Sequence, residues 1–515
     1  MPLRRPLIAA LVFLALVQPA AAARFSLVEA RPAAVPFLRL AGAEQLSPSI
    51  GLWRLDSGLV PQLRCAALLR LAQPERRLVP AQVRAVDPLQ ATEWWMARVG
   101  ADRAQPPGPG VPVTVVDTGI DVTHPEFAGR PDTTALNSQV VTNSAEDFHG
   151  TAVASLVAAP ANGVGIVGVY PQAVLRAYDA DLSGRLTDAE LIRGIEAAAQ
   201  AGPSVINLSL GGTQFDEALQ DEIYSVFRRG SLVVAASGNS GDEGNPINFP
   251  ANMSHVLTVA ATDENDMATS FSSSSPGVDI GAPGVDIPAA VPLAYDASGY
   301  ETLDGTSFSA PIVSGAAAWV WTVRRDLDNT QMFDLMRWSA RDVGPPGFDD
   351  ETGFGILDIP TALTMNAPAR DPQEPNDDIF LVKPGGLFRS GTSPLTSSSR
   401  SSARLVARLD FTEDPEDVYR VFIPAHKTAT ITVRGSENVD LEAWKPSART
   451  VTETGAAAKR DLTGASAKHG TAADTVKVAD AGKRGAYYYA DVFLARGVGA
   501  ASYSLSVTIR ASARR

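Results

Sequence analysis

The sequence contains one cysteine, Cys65, and only five histidines among 515 residues. A single thiol excludes an intramolecular disulfide framework and any zinc or iron–sulfur site built from several cysteines. Basic residues are in the minority, with 44 Lys and Arg against 57 Asp and Glu, and the formal net charge is −13. A nucleic-acid partner requires clustered positive charge, so this balance argues against one. Beyond the N-terminus no apolar run is long enough to predict a membrane span.

Residues 1–23 have the pattern of a secretory signal. Arg4 and Arg5 precede an apolar run, Leu7–Val17, and the small residues Ala20–Ala23 follow it. The apolar run is shorter than the roughly 20 residues that a spanning helix needs, although a membrane anchor is the alternative. We therefore expect residues 1–23 to be cleaved and the mature protein to be secreted, into the medium or the periplasm.

The rest of the chain divides into segments of different composition, and at roughly 150 residues per domain about three domains are expected. Residues 24–86 are rich in Arg, Pro and Leu. Residues 87–366 alternate apolar strands with helical stretches, which predicts an α/β fold with a parallel sheet and helices on both faces. Residues 367–404 form a polar linker or boundary region. Residues 405–515 carry short alternating runs, which predict a small antiparallel β-sandwich.

The predicted elements follow from these patterns. In the central segment, strands are predicted at Val113–Val116, Val205–Leu210, Leu232–Ala236 and Val256–Ala260. Helices are predicted there at Thr151–Ala159, Thr187–Ala201, Asp216–Arg229 and Phe308–Arg324, the last with Pro311 in its first turn. In the flanking segments, a strand is predicted at Gly51–Leu55, a helix at Pro61–Leu71, and further strands at Val418–Ile423, Ala429–Val433, Tyr487–Phe493 and Tyr503–Ile509.

Three polar residues of the central segment form a candidate catalytic set. Asp117 ends an apolar strand, His149 opens a helix of small residues, and Ser307 stands at a helix start, where backbone N–H groups favour developing negative charge. Singly, each has an ordinary alternative role in a turn or a helix cap. Together they fit nucleophilic catalysis, because a histidine can accept the proton of a serine while a carboxylate fixes its tautomer.

Asn239 adds a candidate amide donor to this set. It follows the strand Leu232–Ala236 and is preceded by Ser237-Gly238. Attack on a carbonyl places negative charge on its oxygen, and a positioned amide N–H stabilises that charge. The alternative is a turn asparagine, because Asn-Ser-Gly is a favourable turn sequence.

These motifs resemble those of the subtilisin-like serine peptidases, the subtilase family, over residues 87–366. In that family's order the chain has Asp117-Thr118-Gly119, His149-Gly150-Thr151, Ser209-Leu210-Gly211, Ser237-Gly238-Asn239 and Gly305-Thr306-Ser307. The resemblance implies a seven-stranded parallel sheet and endopeptidase cleavage through an acyl-enzyme. It implies that Ser307 is the nucleophile, His149 the general base and then acid, and Asp117 the orienting carboxylate. Asn239 and the Ser307 backbone N–H become the oxyanion donors.

The resemblance also implies a substrate cleft. Ser209, Leu210 and Gly211 are similar to the edge strand that pairs with an extended substrate, which tolerates many sequences because the pairing uses backbone hydrogen bonds. Ala236, Ser237 and Gly238 are similar to the opposite wall of the primary pocket. One departure follows the serine, where Phe308-Ser309-Ala310 replaces the Met-Ala-Ser or Met-Ala-Thr frequent in the family. This change removes no catalytic atom.

No cofactor is required for this chemistry, but the resemblance implies that the protein could bind a structural calcium ion. The loop Pro160–Ile166 is similar to one that supplies an asparagine amide and carbonyl oxygens to calcium, here through Asn162. Glu126 stands where the family often has an aspartate. The alternative is a glycine-rich turn without metal.

Both flanking segments have family counterparts. Residues 24–86 lie where subtilases carry an inhibitory propeptide, and Arg77–Val83 would be its last strand. A retained N-terminal extension is the alternative. The C-terminal part resembles the pre-peptidase C-terminal domain of secreted bacterial peptidases in Glu374-Pro375-Asn376-Asp377-Asp378, Asp417–Phe422 and the Gly485–Tyr489 to Tyr503–Leu505 ending. A generic β-sandwich is the alternative there.

The sequence therefore predicts a secreted serine endopeptidase, made as a zymogen, whose partners are polypeptide substrates. One alternative is a non-catalytic subtilase-like scaffold that binds a surface or carbohydrate through its C-terminal sandwich. Another is a serine esterase, but the Gly-x-Ser-x-Gly elbow of that fold is absent.

Overall fold

The computed structural model describes residues 25–74, 87–137, 144–145, 148–181 and 185–512. The predicted signal at 1–23 and the predicted propeptide strand Arg77–Val83 lie outside these residues. The chain divides between Val83 and Arg84 into two compact units, which are described separately.

The N-terminal unit is a small antiparallel sheet with two short helices. Its elements are β1 (Phe25–Ala30), α1 (Val35–Leu40), β2 (Glu44–Ser47), β3 (Leu52–Asp56), α2 (Val60–Cys65) and β4 (Leu69–Pro74), with the sheet order β2-β3-β1-β4. Its core centres on Val28, Leu38, Trp53 and Leu55. The strand predicted near 51–55 is confirmed.

The helix predicted at Pro61–Leu71 is wrong in its second half. Ala67 adopts a left-handed φ of 53°, which ends the helical path, and Leu69 begins the strand β4. This strand pairs with β1, so the pairing of Leu69 with Ala30 overrides the apolar pattern that favoured a longer helix.

The second unit begins with a doubly covered parallel sheet. Its strands are β5 (Val113–Asp117), β6 (Thr133–Ala135), β7 (Leu175–Asp179), β8 (Val205–Leu208), β9 (Leu232–Ala236), β10 (Val256–Thr262) and β11 (Ile280–Pro283), in the order β11-β10-β9-β8-β5-β7-β6. Every pairing is parallel. The apolar runs of β5 and β9 are buried throughout, as expected for strands covered on both faces. The predicted α/β fold is confirmed.

Helices cover the two faces of this sheet. The helices of this part are α3 (Trp95–Arg98), α4 (Phe148–Ala158), α5 (Asp188–Gln200), α6 (Glu217–Arg228), α7 (Thr306–Val323), α8 (Asn329–Trp338) and α9 (Ile359–Thr364), and a hairpin joins β12 (Ile287–Ala290) to β13 (Tyr300–Leu303). Side chains of α4 and α7 share one core with the sheet, and those of α5 and α6 share the other. The carboxyl ends of β5, β8 and β9 therefore lie between two packed layers and carry the polar motifs.

The C-terminal part consists of two antiparallel four-stranded sheets. Its elements are α10 (Ile379–Val382), β14 (Ser402–Asp410), β15 (Glu416–Ile423), β16 (Lys427–Gly435), β17 (Val439–Trp444), α11 (Gly455–Asp461), β18 (Leu462–Ser466), β19 (Asp474–Ala479), β20 (Ala486–Leu494) and β21 (Ala500–Ala511). The sheets have the orders β14-β21-β16-β19 and β15-β20-β17-β18, and one core holds side chains from both. The predicted sandwich is confirmed, while the segment limits near 366 and 404 stay predictions. Among the described helices, none combines the length and apolar character needed to cross a bilayer.

Candidate active site

Asp117 and His149 form the central contact of the site. Asp117 is the last residue of β5 and is buried, and its Oδ1 accepts the Thr118 N–H at 2.7 Å. The same oxygen lies 2.8 Å from His149 Nδ1. An ionised Asp117 therefore favours the tautomer with the proton on Nδ1, which leaves Nε2 as the ring's acceptor. In the described part of the chain, Nε2 contacts no protein partner, so it is available to a substrate or a nucleophile.

Glycines place His149 against the end of β5. A Cβ at Gly150 would lie 2.1 Å from the Gly119 carbonyl oxygen, a distance that no side chain tolerates. The Gly150 N–H donates to Thr118 Oγ1 at 3.1 Å and joins the start of α4 to the turn after Asp117. The glycines of these two motifs thus allow the backbone approach that brings the aspartate and the histidine together.

The electrostatics of His149 favour its protonated form. Burial lowers the pKa of the imidazole, but the charge of Asp117 and its hydrogen bond more than offset burial, and the net result is a raised pKa. Paired with a carboxylate, the ring stabilises a proton that it receives, which is what a general base requires.

Ser307 lies in the first turn of α7, where a proline leaves its carbonyl free. The helix starts at Thr306, so Pro311 lies in its second turn. The sequence-based prediction of Pro311 in the first turn is therefore wrong. Pro311 has no N–H to donate to the carbonyl four residues back, which is that of Ser307. The Ser209 hydroxyl donates to this carbonyl at 2.8 Å, and the Ser307 hydroxyl donates to the Ser209 carbonyl at 3.2 Å.

These two reciprocal hydrogen bonds fix the start of α7 to the segment that follows β8. Phe308, the residue that departs from the family pattern, has its ring centroid 5.8 Å from that of His149. Ser307 is thus the neighbour in sequence of a residue that packs on the histidine. The structure brings Asp117 and His149 into direct contact, whereas the Ser307 hydroxyl is hydrogen-bonded to the Ser209 carbonyl, and the link from Ser307 to the pair is its neighbour Phe308.

Asn239 is oriented by Thr306, which the sequence analysis did not single out. Asn239 Oδ1 accepts both the backbone N–H of Thr306 at 2.9 Å and its hydroxyl at 2.8 Å. The amide nitrogen is therefore the free end: a Cβ at Gly305 would lie 3.4 Å from Nδ2, which donates to no protein group in the described residues. The signal in the sequence was the threonine between Gly305 and Ser307.

The two predicted substrate segments both contact this turn. Ser209, Leu210 and Gly211 line a cleft of about 510 Å³ together with His149. Ala236 ends β9, Ser237 and Gly238 follow it, and the Gly238 N–H donates to Thr306 Oγ1 at 3.2 Å. Ser209 and Gly238 thus link the two segments to the turn that carries Ser307, and their role as substrate walls stays a prediction.

The predicted calcium residues lie at a separate loop. Asn162 Oδ1 accepts the Val164 N–H at 2.8 Å, and the N–H groups of residues 162–164 all donate to Asp87 Oδ1. Glu126 Oε1 accepts from the Ile166 N–H, whereas its Oε2 is buried without a partner in the described chain. Burial raises the pKa of Glu126 to about 7. The loop directs donors at Asp87, and calcium at Glu126 and Asn162 stays a prediction.

Fold and site together define a serine peptidase of the subtilisin type. The model of the subtilase family matches residues 108–355. Subtilisin BL from Lederbergia lenta is 38% identical over 50% of this chain and 93% of its own. Subtilisin DY from Bacillus licheniformis is 33% identical over 53% of this chain and 99% of its own, and the minor extracellular protease Epr from Bacillus subtilis (strain 168) is 32% identical over 55% and 42%.

The chain belongs to the subtilase family and is a serine endopeptidase of that family. The matched residues end at 355, so the C-terminal sheets lie outside the family model, and their resemblance to a pre-peptidase domain stays a prediction.

Proposed function

We propose that the chain hydrolyses peptide bonds through an acyl-enzyme on Ser307. The Ser307 hydroxyl attacks the scissile carbonyl and passes its proton to His149 Nε2. The imidazolium then gives that proton to the leaving amine. A water molecule, deprotonated by His149, attacks the acyl-enzyme and releases the carboxylic acid product and the free Ser307 hydroxyl. The observation that carries this proposal is the 2.8 Å contact between His149 Nδ1 and Asp117 Oδ1, because it leaves Nε2 free as the base.

Asn239 and the start of α7 supply the stabilisation of charge. The tetrahedral intermediate carries negative charge on the former carbonyl oxygen, and preorganised N–H donors lower its free energy. Thr306 holds the oxygen of the Asn239 amide, which leaves Nδ2 as the donor without a protein acceptor among the described residues. The Ser307 backbone N–H, in the first turn of α7, is the second donor.

The substrate is an extended polypeptide. Ser209, Leu210 and Gly211 leave β8 and line the cleft beside His149, in the place where a peptide strand pairs with a sheet edge. Leu191, Leu219 and Phe249 also line this cleft, so it offers apolar surface to substrate side chains. Ala236, Ser237 and Gly238 form the opposite wall of the primary pocket.

A variant of the nucleophile tests this assignment. Ser307→Ala is expected to abolish casein hydrolysis and labelling by a fluorophosphonate, whereas Ser399→Ala, which alters an exposed serine, keeps both. Labelling of Ser307→Ala at the normal rate would contradict the assignment. Turnover of ester substrates with no turnover of peptides would favour an esterase, and a folded protein with neither activity would favour a binding scaffold.

We also propose that the protein is exported and matures by loss of residues 1–86. The signal pattern at 1–23 and the relation to an extracellular protease support export. Asp87 is buried and accepts three N–H groups of the 162–164 loop, so cleavage just before it preserves this contact. N-terminal sequencing of the secreted protein is expected to start near Asp87, and a start near Ala23 would show that the N-terminal segment is retained.

A further inference from the structure

Four carboxylates gather where the chain leaves the peptidase fold and enters the C-terminal sheets. Asp371 and Glu374 belong to the segment between α9 and α10, and Asp414 and Asp417 to the start of β15 and the turn before it. Oxygen atoms of Asp371, Asp414 and Asp417 all lie within 4.8 Å of one another. Glu374 interacts electrostatically with Asp371 and Asp417. We call these four residues the junction cluster.

Protein cations do not balance the junction cluster. In the described part of the chain, no Lys or Arg forms an ion pair with any of its four members. The nearby arginines are already occupied, because Arg337 pairs with Asp279 and Asp410, and Arg408 pairs with Asp334 and Asp410. His255 lies 3.7 Å from Glu374 and is the one partial exception. The four carboxyl groups therefore lack an arginine or lysine ion pair of their own, and burying carboxylates without such partners is costly.

Several oxygen atoms of the junction cluster are buried and unused. Asp371 Oδ1, Glu374 Oε1 and Asp414 Oδ1 have no hydrogen-bond partner among the described residues. The Glu374 side chain is only 4% exposed. The neighbouring Asn376 is fully buried, its amide nitrogen donates to Asp417 Oδ1, and its amide oxygen is also without a partner. Leaving a buried acceptor unpaired is unfavourable, so four such atoms together point to a missing donor or cation.

There is also space for an ion. Asp371, Glu374 and Asp414 line a cavity of about 40 Å³. A water needs about 10–15 Å³, so the volume is sufficient for a small ion, and Arg337 and Arg408 line another part of the same cavity. Two other oxygens of the cluster have protein partners that hold them in place: the backbone N–H of Arg408 donates to Asp371 Oδ2, and the Tyr503 hydroxyl donates to Asp417 Oδ2.

We propose that the junction cluster binds a calcium ion, with Asp371, Glu374, Asp414 and Asp417 as carboxylate ligands and Asn376 as an amide ligand. An all-oxygen set with several carboxylates suits this hard cation, which takes six to eight oxygens at about 2.3–2.6 Å in flexible geometry. Magnesium retains its waters and needs a stricter octahedron. Zinc prefers a site that contains nitrogen, and would be drawn to the adjacent group of His255, Glu374 and Asp377.

The bound ion has a consequence for the whole second unit. His255, in the loop before β10, lies 3.3 Å from Asp377, and its backbone N–H donates to Glu413 at 3.0 Å. The ion thus neutralises a cluster that is attached to the peptidase fold through His255 and to the C-terminal sheets through Asp414 and Asp417. Calcium would fasten the two parts together, and its removal would loosen the junction before it affected the catalytic residues.

The test uses the full chain with Ser307→Ala, to prevent self-digestion, after treatment with a chelator. Calorimetric titration with CaCl₂, with MgCl₂ and ZnCl₂ as separate arms, measures the affinity, and thermal unfolding measures the calcium-dependent rise in Tm. Asp414→Asn added to this background is expected to weaken calcium binding by about tenfold or more and to remove the rise in Tm. Asp326→Asn is the matched control, because it also neutralises one carboxylate but at an exposed position outside the cluster, and it keeps both effects. Glu126→Gln is a separate arm that tests the other calcium candidate.

The outcomes separate the possibilities. Unchanged calcium affinity and an unchanged rise in Tm in Asp414→Asn would overturn the proposal, as would a parent protein that binds no calcium. Loss of calcium binding in Glu126→Gln alone would move the site to the loop of Asn162. Binding of zinc alone, abolished by His255→Gln, would also overturn it. If Asp414→Asn does not fold, Asp371→Asn replaces it, and the parent titration decides independently of any variant.

Discussion

Gly150→Ala tests whether backbone contact between two glycine motifs sets the position of the catalytic histidine. The added Cβ would lie 2.1 Å from the Gly119 carbonyl oxygen, and Cβ atoms essentially never approach other atoms closer than 3.0 Å. The opposing atom belongs to the backbone, so no flexible side chain can move away. The start of α4 must therefore retreat from the turn after β5 by about 0.9 Å.

The size of the effect follows from this displacement. His149 is the residue before Gly150 and moves with it, whereas Asp117 stays in the sheet, so the 2.8 Å contact between them lengthens or bends. A misplacement of about 1 Å at a catalytic group costs about 10²-fold in rate. We expect kcat/KM of Gly150→Ala to fall by about 10²-fold, mainly through kcat, because the Ser209–Gly211 wall of the cleft is not displaced.

The assay is steady-state hydrolysis of a chromogenic peptide, together with the second-order rate of fluorophosphonate labelling. Gly499→Ala is the matched control: it is also a Gly-to-Ala change, but its Cβ meets no atom within 4 Å. Circular dichroism checks that both variants fold. A folded Gly150→Ala protein with the activity of the parent would refute the claim that this glycine pair positions His149.

Three further predictions concern charge and donors. Asp117→Asn is expected to lower kcat by about 10⁴-fold. Without the charge of Asp117, burial lowers the pKa of His149, so the acidic limb of the kcat/KM profile should move to lower pH. A limb that does not move would show that it reports the titration of another group. Asn239→Ala should lower kcat by about 10²–10³-fold, the loss known for this donor in subtilisin itself, with little change in KM; an equal change in KM would indicate a role in binding. Arg337→Met leaves buried carboxylates without their partner and should cost about 3–5 kcal/mol in urea unfolding of the inactive protein, whereas no change would mean that the network is not buried in solution.

The parts of the site that could be predicted from sequence lie at the ends of regular elements. The run Val113–Val116 is apolar and β-branched at most positions, which indicates a buried strand, and Asp117 follows it directly. In a parallel sheet such a residue lies at the carboxyl edge, where sites form. The same reasoning placed Asn239 after β9. The local pattern was sufficient because strand and helix geometry sets the direction of the next residue.

Contacts between non-adjacent turns could not be predicted in this way. The bond from the Ser209 hydroxyl to the Ser307 carbonyl depends on Pro311, whose position in α7 is known only once the start of that helix is known. A shift of two residues at that start moves the proline from the first turn, where its missing N–H has no effect, to the second turn, where it frees a carbonyl. Helix ends are the least certain feature of a sequence pattern, so this contact emerged only from the structure.

The junction cluster shows the same limit at a larger scale. Two of its carboxylates, Asp371 and Glu374, lie in an irregular segment, and the two others flank the start of a strand, so no period relates them in the sequence. Taken alone, each of these acidic residues is predicted to be solvent-exposed, because Asp and Glu are rarely buried without a partner. Only the packing of the C-terminal sheets against the peptidase fold makes these residues neighbours and removes them from water. A sequence pattern indicates the geometry of one helix or strand, whereas a cation site between domains depends on how separate elements pack together. The strongest evidence for such a site is therefore the set of buried oxygen atoms that have no hydrogen-bond partner in the folded chain.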